Sequence, residues 1–198
     1  APRTGGAAKW QRHTKRGKDE SRQRQEYEDF IEPFLRDIEA SGSYSRSTVE
    51  SLSYPESEDL NVELIGDLIH HINDEEPPGA ILVFLPGWDQ ISKLHKFLTE
   101  DPATRLVRNS PVIYPLHSLM PTVNQREIFV RPPPHVRKVI IATNIAETSI
   151  TIDDVVYVVD CGKIKMTNFD VENNISTFQP EWVSLANARQ RRGRLEFD

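Results

Sequence analysis

The spacing of apolar positions changes character along the chain. From Tyr27, the residues Phe30, Ile31, Phe34, Leu35 and Ile38 recur at helical spacing and predict one buried helix face, with Pro33 forcing a kink or restart. "SGSYSRSTVESL" offers hydroxyl caps for a short helix: Ser45 or Ser47 is the candidate N-cap, and Glu50 stands three residues after Ser47, the capping-box spacing. Leu60, Leu64, Ile65, Leu68, Ile69 and Ile72 define a second amphipathic helix whose start is marked by Asp59. After "NDEEPPG" short apolar runs take over. "AILVFLPG", "PVIYPLHS", "VRKVIIAT" and "DVVYVVDCG" read as strands. Between them lie "WDQISKLHKFLTE", a helix with Trp88, Ile91, Leu94, Phe97 and Leu98 inward, and "TVNQREIFVR", a further helix. Strands that are apolar throughout and separated by helices imply a parallel sheet covered on both faces. Ligands of such sheets collect at the carboxyl ends of the strands. That rule selects Pro86-Gly87-Trp88, His117-Ser118-Leu119, the segment from Thr143 to Asp154, and Asp160-Cys161-Gly162.

Charge is unevenly placed. The 198 residues carry a net charge of -6, yet residues 1 to 25 hold eight Lys or Arg against two acids. That basic segment has no apolar period and is expected to be flexible, as a solvated tail or an RNA-binding arm. Residues 50 to 76 hold nine acids and no Lys or Arg, a solvated face; His70 and His71 at its end are too few ligands for a metal site. The single cysteine, Cys161, excludes an intrachain disulfide and is expected to be an inert, partly buried thiol in a reducing compartment. No apolar run approaches the roughly 18 residues that span a bilayer, so a soluble intracellular protein or fragment without a membrane partner is expected.

Several chemistries are excluded by their missing signatures: the chain has no G-x-x-x-x-G-K-[ST], G-x-G-x-x-G, G-x-S-x-G, H-E-x-x-H or C-x-x-C. His117 beside Ser118 lacks an orienting carboxylate, and adjacent residues at a strand end point to opposite sides. What remains suits phosphates. In "TNIAETSITIDD", Thr143 and Asn144 end a strand with a hydroxyl, an amide and backbone N–H groups, which contact nucleic-acid backbones without reading sequence. Ser149, Thr151 and Asp153 alternate with Ile150 and Ile152 and so share one side. "NARQRRGR" gathers Arg189, Arg191, Arg192 and Arg194 at the end of a helix beginning near Ser184. Guanidinium forks serve phosphates and the charge that develops in phosphoryl transfer, or simply complement a helix dipole.

Together these stretches resemble the second RecA-like domain of DEAH-box (DEAH/RHA) RNA helicases. "FLPG" is similar to motif IV, "ATNIAETSITIDD" to motif V, "VVD" to the adjoining Va element and "QRRGR" to the start of motif VI, over residues 80 to 194. "YSRSTVE", "VELIGDLIHHI" and "PLHSLMPTVNQ" resemble the G-quadruplex-resolving subgroup. The resemblance implies an α/β fold, a RecA-like parallel β-sheet flanked by helices, with an N-terminal helical extension. The expected divisions are a basic flexible segment (1–25), a helical linker (26–76), the second RecA-like domain (77–194), and a vector-derived tail (195–198).

The resemblance also implies roles. Thr143, Asn144 and Ser118 would hold the RNA backbone. Ser149, Thr151 and Asp153 would face the nucleotide, Phe129 would stack on its base or serve as a core aromatic, and Gln190 and Arg194 would reach the triphosphate, Arg194 as an arginine finger. ATP and Mg would be held mainly by a first RecA-like domain, which supplies the phosphate loop and the water-activating acid. The implied partners are single-stranded or structured RNA, G-quadruplex nucleic acid and that first domain, in the nucleus or cytoplasm. One departure stands out: the family's motif continues G-R-A-G-R, whereas "LEFD" follows Arg194 and puts Phe197 at the second finger's place. The alternative is a non-enzymatic module that binds RNA or protein.

Overall fold

The computed structural model describes residues 20–100, 110–117, 126–144, 152–170 and 175–193. Ser118, Ser149, Thr151, Arg194, most of the basic segment and the last four residues lie outside the described residues. The chain divides into two compact units, Ala1–Leu60 and Asn61–Asp198.

In the first unit, α1 (Glu20–Ser41) is one 22-residue helix that begins inside the segment expected to be flexible. Arg22–Glu26 and Arg24–Glu28 ion pairs, each 3.0 Å, explain it: i,i+4 charge pairs support a helix without any apolar period. Pro33 does not interrupt the helix; it sits exposed, where the Asp29 carbonyl, left without a helical donor by the proline, can accept from water. The predicted stripe is only partly covered, since Phe34 is 56% exposed, while Tyr27 is buried with its hydroxyl 3.1 Å from Ser57 Oγ. The helix α2 (Arg46–Leu52) is capped by Ser45, whose Oγ accepts from the Thr48 N–H at 3.1 Å; Ser47 lies within the helix, so the box with Glu50 does not form.

The second unit begins at Asn61. α3 (Val62–Glu75) belongs to it and is capped by Asn61, not Asp59, through the Leu64 N–H at 3.0 Å. Ile65, Ile69 and Ile72 are buried, but Leu64 and Leu68 face outward. Gly66 lies so close to α4 (Trp88–Glu100) that a Cβ there would stand 2.3 Å from Phe97 Cε1. Four strands follow as expected: β1 (Ala80–Phe84), β2 (Val112–Leu116), β3 (Lys138–Ala142) and β4 (Val155–Asp160). They form a wholly parallel sheet in the order β2-β3-β1-β4. β1 and β3 are buried along their full length, as central strands of a sheet covered on both faces must be.

Three expectations need correction here. Trp88 is 45% exposed rather than inward, because the helix starts at it and the first buried rung is Ile91. The helix predicted over "TVNQREIFVR" is, among the described residues, a single short 3-10 turn, Glu127–Phe129. An antiparallel pair, β5 (Lys163–Asp170) with β6 (Ile175–Trp182), was not anticipated. The helix α5 (Leu185–Arg192) closes the described chain, with Ser184 Oγ capping the Asn187 N–H at 3.1 Å.

Candidate functional site

The parallel register puts the ends of β2, β3, β1 and β4 side by side on one edge. Thr143 and Asn144 leave the end of β3; Thr143 is 7% exposed and Asn144 is exposed, so the threonine is built into the edge while the amide faces solvent. β1 passes into buried Pro86 and Gly87, whose carbonyl accepts the Ile91 N–H and opens α4. A Cβ on Gly87 would meet Lys165 Nζ at 2.9 Å, so the lysine stem lies directly against this turn. Trp88 follows, its ring centroid 5.6 Å from that of His117 at the end of β2.

At the end of β4, Arg191 is 1% exposed. Its Nη1 donates to Asp160 Oδ1 at 2.7 Å, and its guanidinium lies 4.9 Å from the Phe84 ring centre. Asp160 Oδ1 also accepts the Gly162 N–H at 2.8 Å. A buried guanidinium needs such a partner, because an unpaired charge in a protein interior is strongly destabilising. One arginine of the "QRRGR" cluster is therefore neither solvated nor free to reach a ligand: it pins α5 to the sheet. Arg189, Gln190 and Arg192 remain exposed. Cys161 next to this pair is half-buried, and burial pushes its thiol pKa up, which favours the protonated form.

Not all of the segment from Thr143 to Asp154 lies on that edge. Asp154 precedes β4, and its carbonyl accepts the Ala80 N–H at 2.8 Å at the start of β1, so Asp153 and Asp154 occupy the amino edge. A parallel connection must do this, since it leaves one strand at its carboxyl end and enters the next at its amino end. Asp153 is exposed there, while Ile152 enters the core beside Val155. Phe129 is found near the same edge and is 53% exposed, so it is not a core aromatic; Ile128 beside it is buried. Lys138, 1% exposed, organises this end: Nζ donates to Asp154 Oδ1 at 2.7 Å, to the Ile128 carbonyl at 2.6 Å and to the Val130 carbonyl at 3.3 Å. All three ammonium donors are thus used. Arg137 donates to the carbonyls of Gly79, Glu76 and Pro77. Asp153, Arg137, Arg131, His135, Pro78 and Gly79 are among the residues that line a cleft of about 560 Å³.

The described site residues therefore fall into two sets. Thr143, Asn144 and the helix carrying Gln190 share the carboxyl edge, and Phe129 and Asp153 share the amino edge. The sequence missed Lys138, Arg137 and the Arg191–Asp160 pair; the signal available was a cation inside or beside an apolar strand, which must be paired. Among the described residues no group of three His, Cys, Asp or Glu side chains could hold a metal ion. None of their helices is long and apolar enough to cross a membrane.

Residues 61–195 match the family model described as the helicase conserved C-terminal domain. The chain is 60% identical over 151 residues to the human ATP-dependent DNA/RNA helicase DHX36, covering 76% of this chain and 15% of that protein. It is 53% identical over 154 residues to the Arabidopsis thaliana DExH-box ATP-dependent RNA helicase DExH1, covering 77% and 15%. The E. coli DExH-box NTPase HrpB superposes with a TM-score of 0.60 at 31% identity, over 69% of this chain and 16% of that one. The chain thus spans about 15% of the curated relatives it matches. Its α/β fold is RecA-like, a parallel sheet flanked by helices, and it belongs to the helicase C-terminal domain family in its DEAH/DExH branch.

Proposed function

We propose that this chain is the second RecA-like half of an ATP-dependent RNA helicase motor. Thr143, Asn144 and Ser118 hold the RNA backbone by neutral hydrogen bonds, which grip any sequence. Gln190 and Arg194 approach the triphosphate from the carboxyl edge, while Asp153 and Phe129, on the amino edge, meet the base and ribose at the far end of the nucleotide, together with Ser149 and Thr151, which precede Asp153 in the chain. The observation that carries this is the Arg191–Asp160 pair: it fixes the helix leading to Arg194 on the same sheet edge as Thr143 and Asn144. Groups for two ligands are then held on one rigid frame, so that a shift forced by one is felt by the other.

Catalysis would work by positioning and by stabilising charge on the transferring phosphoryl group, with no covalent step assigned to the chain. Mg, bound with ATP by a first RecA-like domain, would neutralise phosphate charge; the residues described here offer no cage for it. The finer substrate, G-quadruplex nucleic acid, rests on the resemblance of "YSRSTVE", "VELIGDLIHHI" and "PLHSLMPTVNQ" to the quadruplex-resolving subgroup. The fragment alone is expected to be inactive, and the setting to be intracellular, nuclear or cytoplasmic.

The deciding experiment is RNA-stimulated ATP hydrolysis by the full-length protein, native against Arg194→Ala. A loss of about 10³ or more in kcat with RNA affinity retained is expected of an arginine finger. An unchanged kcat would leave a nucleic-acid- or protein-binding module.

A further inference from the structure

The aromatic at the start of α4 is held in an unusual way. Its helix buries Ile91, Leu94 and Leu98, yet Trp88 leaves 45% of its surface in water. A tryptophan has more apolar area to hide than almost any side chain, so half-exposure forgoes stabilisation that burial would provide. The ring is nevertheless not loose. Its centroid lies 5.6 Å from the His117 ring at an interplanar angle of 58°, within the range of tilted aromatic pairs. Trp88 follows β1 and His117 follows β2, and β3 lies between those strands. Strands two places apart are separated by roughly 10 Å, so the two side chains must lean toward each other across the end of β3. Thr143 and Asn144 emerge at that end. The Lys165 stem, packed against Gly87, places a cation beside the same turn.

A rigid, half-exposed indole next to an uncharged hydroxyl and amide matches one ligand chemistry well. Thr143 and Asn144 can hydrogen-bond to a phosphate or sugar, and a flat π-face can take the base attached to it. Stacking of this kind is indifferent to base identity, since every base has a π-face. We propose that Trp88, braced by His117, is a base-stacking platform for the single strand whose backbone crosses Thr143 and Asn144. The proposal rests on the backbone-contact role given above to those two residues and adds a contact to the base. His117 acts by holding the indole in place, while Trp88 itself touches the ligand.

The test is equilibrium binding by the full-length protein, at one fixed salt concentration, of a single-stranded RNA and of the same strand made abasic throughout. Trp88→Ala should weaken binding of the base-bearing strand by about tenfold or more. It should leave the abasic strand bound as the native protein binds it. Trp88→Phe, which keeps a π-face and guards against misfolding, should retain most of the affinity for the base-bearing strand. Equal losses on both strands, or no loss on either, would overturn the stacking proposal. Asn144→Ala separates this from failure of the underlying reading: it should weaken both strands alike. An Asn144→Ala protein that binds both strands normally, while Trp88→Ala still discriminates them, would remove the backbone contact and leave the stack.

Discussion

Lys138 and Arg191 are cations buried at opposite ends of one sheet, each 1% exposed and each 2.7 Å from a carboxylate. Replacing one partner of such a pair strands the other, whereas replacing both with apolar groups can be nearly neutral. Lys138→Met should therefore cost about 3–5 kcal/mol of unfolding free energy. Lys138→Met combined with Asp154→Leu should recover a good part of it, as read by a urea double-mutant cycle. If the double variant falls by the full sum, the Ile128 and Val130 carbonyls that Lys138 also serves carry the energy instead. Cys161 gives the contrasting case of a titratable group kept neutral. Burial raises its thiol pKa, so the folded state binds this proton more tightly than the unfolded one. The contribution to stability is complete below the unfolded thiol pKa and is lost as pH rises through the higher folded value. Iodoacetamide at pH 8 should accordingly label the folded protein more slowly than the urea-unfolded one, because the thiolate is the reacting species. Comparable rates would mean the thiol is open to solvent.

At the scale of elements, α3 packs closely against α4. Gly66 lets the helices approach until its α-carbon meets the Phe97 ring, and a methyl at that site would lie 2.3 Å from Cε1. Gly66→Ala gains helix propensity but should still destabilise by about 1–3 kcal/mol through overpacking. Phe97→Leu in the same chain should relieve it, which thermal melting of the single and double variants would reveal. The strands and the amphipathic helices were legible because apolar period and turn residues agree with the final packing. α1 was extended by charge pairs that a search for apolar spacing overlooks. β5 and β6 escaped because "KIKMTNFD" and "ISTFQPEW" mix polar and apolar residues without a strong core face, and Pro180 lies within the pairing opposite Lys165. Of the site, the clustering at β3's end was legible, but the edge reached by Asp153 was not inferred from the loop alone. The parallel connection settles it, since β4 must begin at the amino edge.

For the whole molecule, the consequence of the Arg191–Asp160 pair is mechanical. It joins α5 to β4 at the edge where Thr143 and Asn144 leave β3, so α5 takes its position from the sheet. Arg191→Lys keeps the charge but replaces a planar fork, which lies against the Phe84 ring and reaches the Lys163 carbonyl, with a point donor. The helix should then lose orientation more than attachment. Small misplacements of groups that act on a transferring phosphoryl are costly, of order 10²-fold for about 1 Å. In the full-length protein, Arg191→Lys should therefore lower kcat for RNA-stimulated ATP hydrolysis by about 10- to 100-fold. KM for ATP and RNA affinity should stay within about twofold, because the binding groups themselves are intact. Gly66→Ala supplies the comparison: it strains the contact between α3 and α4 rather than the one between α5 and β4, so it should reduce stability while leaving kcat at low temperature unchanged. Equal kcat losses in both variants would mean that Arg191 acts only through stability. A loss confined to Arg191→Lys would identify it as the residue that aligns α5 with the end of β3.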